Sequence, residues 1–220
     1  MNENKKQSIT ISKQALNRMP YYLQHLKKLH SEGIKIIAAP AIAESLELNE
    51  VQVRKDFAAI STTKGKPKAG FPVKELVDNM ENFLGYHNLD DAVLIGAGSL
   101  GRALLSYKGF ESCGLNIVAA FDSDDSALGS DVCGKKVLPS SKLSDICRRM
   151  NIHIGIIAVP ADQAQAVCDQ LVSCGILAIW NFAPVHLSAP ARILVQNENM
   201  AASLAILSNH LREKVADLRD

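Results

Sequence analysis

The stretch VLIGAGSLGRALL, residues 93–105, constrains the fold more than any other. An apolar run leads into Gly96, Gly98 and Gly101 at G-x-G-x-x-G spacing, and a helix-like segment follows. A strand ending in this spacing can turn tightly, let its backbone approach a ligand and pack the next helix close. By itself the spacing also fits a glycine turn that only packs a strand on a helix. Its surroundings add weight. DAVLIG (91–96), LNIVAAFD (115–122), IHIGIIAVP (152–160), ILAIWNF (176–182) and ARILVQN (191–197) are apolar runs, and helical segments at 99–110, 143–150 and 161–174 separate most of them. Apolar strands interleaved with helices predict an α/β domain: a Rossmann-type parallel sheet covered on both faces.

The residue that ends the second strand suggests the ligand. Asp122 stands 21 residues after Gly101. In such folds this acid receives the adenosine ribose hydroxyls, while the first amides of the helix meet the pyrophosphate. The expected loop contacts are therefore Gly96, Ala97, Gly98, Ser99, Leu100 and Gly101. Asp124 and Asp125 follow closely, and three carboxylates repel a 2′-phosphate, so NAD(H) is expected over NADP(H). Turnover would need a proton donor beside the nicotinamide. His153, between two isoleucines, reads as packed, and His186 reads as a loop residue. No metal-ligand cluster or nucleophile elbow stands out. The five cysteines lack any C-x-x-C pair and read as reduced thiols of a cytoplasmic protein. No run of eighteen apolar residues suggests a membrane span, and no apolar segment follows the polar start MNENKKQ to suggest a secretory signal.

The front of the chain has a different character. Residues 1–85 hold 13 Lys and Arg against 9 Asp and Glu, whereas residues 86–220 hold 11 against 14. A basic front permits a nucleic-acid partner. Ser12 can cap a first helix with Leu16, Met19, Leu23, Leu26 and Leu29 on one face, and Pro20 should kink or restart it. A short helix follows Pro40. Asn49, with Gln52 three residues on, caps a third helix over about 50–60. STTKGKPKAGF (61–71) then reads as a basic loop, and a helix through Leu76 and Met80 ends at Gly85. This order is that of a winged helix-turn-helix. The third helix would read DNA: Gln52 and Arg54 at base edges and Lys55 at phosphate, with Val51, Val53 and Phe57 turned away. Lys64, Lys66 and Lys68 would add phosphate contacts from the wing. The expected division is a winged-helix domain at 1–85, a dinucleotide domain at 86–197 and a C-terminal helix at 198–220. Asn197 or Asn199 can cap that helix, whose stripe runs through Met200, Leu204, Leu207, Leu211, Val215 and Leu218.

QVRKD (52–56), together with GAGSLG, FDSD, AVP and NFAP, resembles the Rex family of redox-sensing transcriptional repressors, from about residue 10 to 215. The resemblance implies a homodimer on double-stranded operator DNA and no catalysis. It implies a C-terminal helix exchanged between protomers, and release of DNA by NADH but not by NAD+. It extends the cofactor site to Tyr107 near the nicotinamide and to Val159, Pro160, Asn181, Phe182, Ala183 and Pro184. Several positions depart from the family pattern. The wing carries lysines and a proline, a glycine before the recognition helix is Glu47, and two serines before the second helix are Ala38 and Ala39. The family's switch pairs an Arg on the first helix with an Asp at the start of the last. Here those positions hold Gln24 and Asn199, beside the retained Tyr107. A Gln–Asn pair lacks charge-assisted strength. Two other readings stay open: an NAD-dependent oxidoreductase with a helical cap, and a CoA- or nucleotide-binding module without DNA binding.

Overall fold

The computed structural model describes residues 11–61, 70–88 and 90–218. It divides into two compact units, 1–87 and 88–220. The first holds α1 (Lys13–Ser31), β1 (Ile36–Ile37), α2 (Ala39–Ser45), α3 (Glu50–Ile60), β2 (Phe71–Pro72) and α4 (Val73–Leu84). The Ser12 hydroxyl accepts from the Ala15 amide at 3.2 Å, and the Asn49 side chain accepts from the Gln52 amide at 3.2 Å, so both predicted caps form. Pro20 does not restart α1, which runs through it. Pro20 is exposed, so the Leu16 carbonyl it leaves without an amide partner can turn to water, while Met19, Tyr22, Leu23 and Leu26 hold the opposite face in the core. Phe57 stacks edge-on between Tyr22 and Phe71, both ring pairs 5.3 Å apart. β1 and β2 pair antiparallel, Ile36 with Pro72 and Ile37 with Phe71. The three predicted wing lysines, Lys64, Lys66 and Lys68, lie outside the described residues.

The second unit contains β3 (Asp90–Ile95), α5 (Ser99–Ser106), β4 (Leu115–Asp122), β5 (Asp131–Val132), β6 (Lys135–Pro139), α6 (Leu143–Met150), β7 (Ile154–Ile157), α7 (Ala161–Ser173), β8 (Ala178–Asn181), β9 (Leu194–Asn197) and α8 (Met200–Asp217). The described strands form one sheet in the order β5-β6-β4-β3-β7-β8-β9, parallel except for the β5–β6 hairpin. Strand order reverses at β3, between β4 and β7. In open α/β sheets such a reversal leaves a crevice at the carboxyl ends of the strands. Separate apolar clusters form around Val93, Phe121 and Ile157 and around Leu94, Ala120 and Ile156, as a sheet covered on both faces requires.

Three local features differ from expectation. The first helix of this unit stops at Ser106 instead of 110, and residues 108–113 form a 3₁₀ turn. Tyr107 is extended, and its ring crosses Gly109 so closely that a Cβ there would lie 2.4 Å from it. The β5–β6 hairpin was not expected. Its turn puts Cys133 and Gly134 at φ 55° and 81°, a two-residue turn in which Cys takes the place where Asn or Asp is the usual signal. His153 is exposed just before β7 rather than packed, because the strand begins one residue later.

Candidate functional site

The glycine loop gives each glycine a separate task. Gly96 closes β3 at φ 100°, and a Cβ there would meet the Ala158 carbonyl oxygen at 2.5 Å. Gly101 lies under the turn, where a Cβ would come within 1.8 Å of the Gly96 oxygen. Gly98 faces open space, with no atom within 4 Å of a Cβ position. It also caps α5 without a side-chain partner, so the first amides of that helix keep no intrahelical acceptor. An open backbone beside free helix amides is suited to an anionic pyrophosphate.

Neighbouring strand ends supply the rest. Asp122 ends β4, and its Oδ2 accepts from the Ala97 amide at 2.6 Å while Oδ1 accepts from the Asp124 amide at 2.9 Å. Asp124 Oδ1 in turn accepts from the Ser126 amide, and that bond lowers its pKa. Arg102 joins this region, donating to the Ala97 carbonyl at 2.9 Å and the Ser130 hydroxyl at 3.2 Å. Across the crevice, the Ala158 amide bonds to the Ile95 carbonyl at 2.8 Å, and Ala158 and Val159 stand against Gly96 of the glycine loop, with exposed Pro160 next in the chain. The Asn181–Pro184 segment begins at the last residue of β8. Asn181 has no exposed surface, and its amide is engaged within the protein: Oδ1 accepts from the Ala183 amide, and Nδ2 donates to the Val185 carbonyl and to Asn197 Oδ1. Its role in the geometry is to hold the loop, and exposed Pro184 and half-buried Phe182 present the loop's surface. Pro184, His186 and Asn199 line one open cleft.

Tyr107 and Phe182 belong to one aromatic row that the sequence did not reveal. Tyr107 packs edge-on to Phe110 at 4.9 Å, Phe110 meets Trp180 at 5.5 Å, and Trp180 meets Phe182 at 4.7 Å. Phe110 and Trp180 come from segments 70 residues apart in sequence, so no local pattern announces them. Asn199, not Asn197, caps α8, its Oδ1 accepting from the Ala202 amide at 2.9 Å. No described residue of α8 is buried, and Met200, Leu204, Leu207 and Leu211 are each at least 60 % exposed.

In the first unit, α3 exposes Glu50, Val51, Arg54, Lys55 and Ala58. Arg54 and Glu50 form an exposed i,i+4 ion pair. Val51 was expected on the inner face but lies outward, where an apolar side chain can meet a thymine methyl. Its inner place goes to Asp56, only 4 % exposed. Arg18 donates to it through Nε at 2.9 Å and Nη2 at 3.2 Å, Tyr22 through its hydroxyl at 3.0 Å, and Gln52 through Nε2 at 2.8 Å. Burial, then the Asp56 carboxylate, pushes the Tyr22 hydroxyl up to about 12. Asp56 raises the Arg18 pKa as well. Gln24 is exposed on α1.

A helix-turn-helix unit followed by a dinucleotide-type sheet defines the class of ligand-responsive DNA-binding regulators. The comparisons agree. A family model described as "Putative DNA-binding protein N-terminus" matches residues 10–58, and a "CoA binding domain" model matches residues 87–185. A redox-sensing transcriptional repressor Rex of Treponema denticola is 39 % identical over 91 % of this chain and 95 % of its own. One from Carboxydothermus hydrogenoformans is 37 % identical over 92 % and 97 %. A Rex-family repressor, RSP, solved with β-NAD+ and operator DNA, superposes with a TM-score of 0.87 at 31 % identity, over 96 % of each chain. Its β-NADH complex gives 0.83, over 95 % of this chain and 98 % of that one. The chain belongs to the Rex family of redox-sensing transcriptional repressors, which are regulators and not enzymes.

Proposed function

We propose that this chain is a cytoplasmic homodimeric repressor that holds operator DNA through α3 and the wing, and loosens it when NADH fills the crevice at Gly98 and Asp122. The observation that carries the reading is the open Gly98 backbone at uncapped α5, with Asp122 at the end of the adjoining strand. The ligand acts by binding one arrangement of the dimer better than the other. Asp122 also favours a free ribose over the 3′-phosphorylated ribose of CoA. The unpartnered stripe of α8 supports exchange with a second copy, since contiguous exposed apolar surface of this kind marks an interface. No described helix is long and apolar enough to cross a membrane.

Gln24 and Asn199 retune the switch. They remove both charges of the family's Arg–Asp pair, so the contrast between NADH and NAD+ is smaller than in members that keep it. The test is a DNA-release titration with NADH, NAD+ and CoA on the wild type and on Gln24→Arg/Asn199→Asp. The double variant is expected to widen the NADH-to-NAD+ contrast, and Asp can cap α8 as Asn199 does. An unchanged contrast refutes the retuning. Release by CoA alone refutes the ligand reading.

A further inference from the structure

The Asp56 carboxylate has more partners than docking of α3 requires. Arg18 and Tyr22 come from α1 and tie the two helices together. Gln52 comes from α3 itself, one turn before Asp56, so its bond adds little to the docking. What that bond does is orient an amide. A side-chain amide can exchange its oxygen and nitrogen by a half-turn, and each orientation offers a different donor–acceptor pattern. A carboxylate only accepts. With the amide turned over, Oε1 would face Asp56 Oδ1 in place of the 2.8 Å N–H bond, oxygen against oxygen with no proton between them.

We propose that Asp56 is a positioning residue for base reading, fixing the Gln52 amide in one orientation before DNA arrives. The proposal rests on the reading that α3 contacts the operator. Asp56 takes one N–H of Nε2 and leaves the second N–H and Oε1 as a preset pair, the pair an adenine edge needs at N7 and N6. Arg18 holds the carboxylate through two bonds, Nε to Oδ2 and Nη2 to Oδ1, so the orientation is anchored on α1. Holding the amide in advance also removes the cost of ordering a flexible side chain on binding.

The test uses the full chain and an operator selected from a random DNA pool. The quantity measured is the ratio of affinity for that operator to affinity for random DNA, with the backbone amide NMR spectrum of α1–α4 as the control for folding. Gln52→Ala is expected to lower the ratio by about tenfold, the scale of one lost bidentate base contact. Asp56→Asn is expected to lower it by a similar factor and to relax base preference at the same operator position. Combined with Gln52→Ala, it should cause no further loss. Tyr22→Phe keeps the Gln52 bond and should keep the ratio. If the Asp56→Asn loss persists in the Gln52→Ala background, or Tyr22→Phe loses as much, Asp56 only docks the helix and the proposal is overturned. If Gln52→Ala lowers the ratio and Asp56→Asn does not, positioning alone fails. If neither lowers it, the α3 reading fails and the proposal with it. Should Asp56→Asn not fold, ¹⁵N relaxation of the Gln52 side chain in the DNA-free wild type decides. A side-chain order parameter above about 0.6 is expected, and one below that flexible limit overturns the proposal.

Discussion

Adding one methyl at Gly98 or at Gly101 should have opposite consequences, and the contrast tests the glycine loop as a ligand cradle. At Gly101 a Cβ would lie 1.8 Å from the Gly96 oxygen and 2.9 Å from its carbonyl carbon, both backbone atoms at the strand end. Relief requires the loop to move by more than 1 Å, at the upper end of the roughly 1–3 kcal/mol typical of overpacking. The gain in helix propensity, about 1 kcal/mol, offsets part of it. Gly101→Ala should therefore lose about 1–2 kcal/mol, a fall in melting temperature of about 2–8 °C for a chain of this size. At Gly98 φ is −67°, a value any residue adopts, and no atom lies within 4 Å of the new methyl. Gly98→Ala should leave melting unchanged or slightly raised. It should still weaken NADH by at least about tenfold, or 1.4 kcal/mol, because the methyl stands where the pyrophosphate would approach the backbone. Differential scanning fluorimetry and isothermal calorimetry on the two variants measure both quantities. Undiminished NADH affinity in Gly98→Ala would refute the assignment of that space to the dinucleotide. An unaltered melting temperature in Gly101→Ala would refute the packing argument.

Other outcomes follow from the same structure. Glu47 holds φ 52°, where a side chain is strained, so Glu47→Gly should stabilise by about 0.5–1 kcal/mol in chemical denaturation despite its greater unfolded freedom; a loss of stability would show that the Glu47 side chain contributes more than the strain costs. Tyr22 is held protonated, with its folded pKa raised from 10.0 to about 12. The stability from that protonated hydroxyl is full below pH 10 and declines between pH 10 and 12, and Tyr22→Phe should flatten the decline; parallel pH profiles for the two proteins would refute it. Arg54→Ala should cost about 1–3 kcal/mol on operator DNA and less on random DNA, while Lys66→Ala should weaken both alike. Its effect on folding should be small, because the Glu50–Arg54 pair is exposed. Equal losses for both variants on both DNAs would remove Arg54 from base reading. Asp122→Ala should weaken NADH in calorimetry, and an unaltered dissociation constant would take Asp122 out of the site.

Much of this protein was legible in its sequence because the signals are local. Gly101 answers a constraint set five residues away at Gly96, and Ser12 and Asn49 cap the helices that immediately follow them, whereas Gly96 also answers the distant Ala158 carbonyl. Buried parallel strands need no alternation, so five of them stand out as apolar runs that also mark the fold class, while the short β6 with its leading lysines does not. Tertiary structure alone decided where distant segments meet. It set Asp56 inward and Val51 outward on α3, because Arg18 and Tyr22 from α1 supply the donors a buried carboxylate needs. It joined Tyr107 to Phe182 through Phe110 and Trp180, and used the Asn181 amide to hold a loop instead of presenting it. It let α1 continue through Pro20, since the freed carbonyl sits on the wet side of a helix whose other face is buried. Periodicity specifies which residues share a face. Which partner satisfies a polar group on that face depends on contacts across the fold, and no local spacing encodes them.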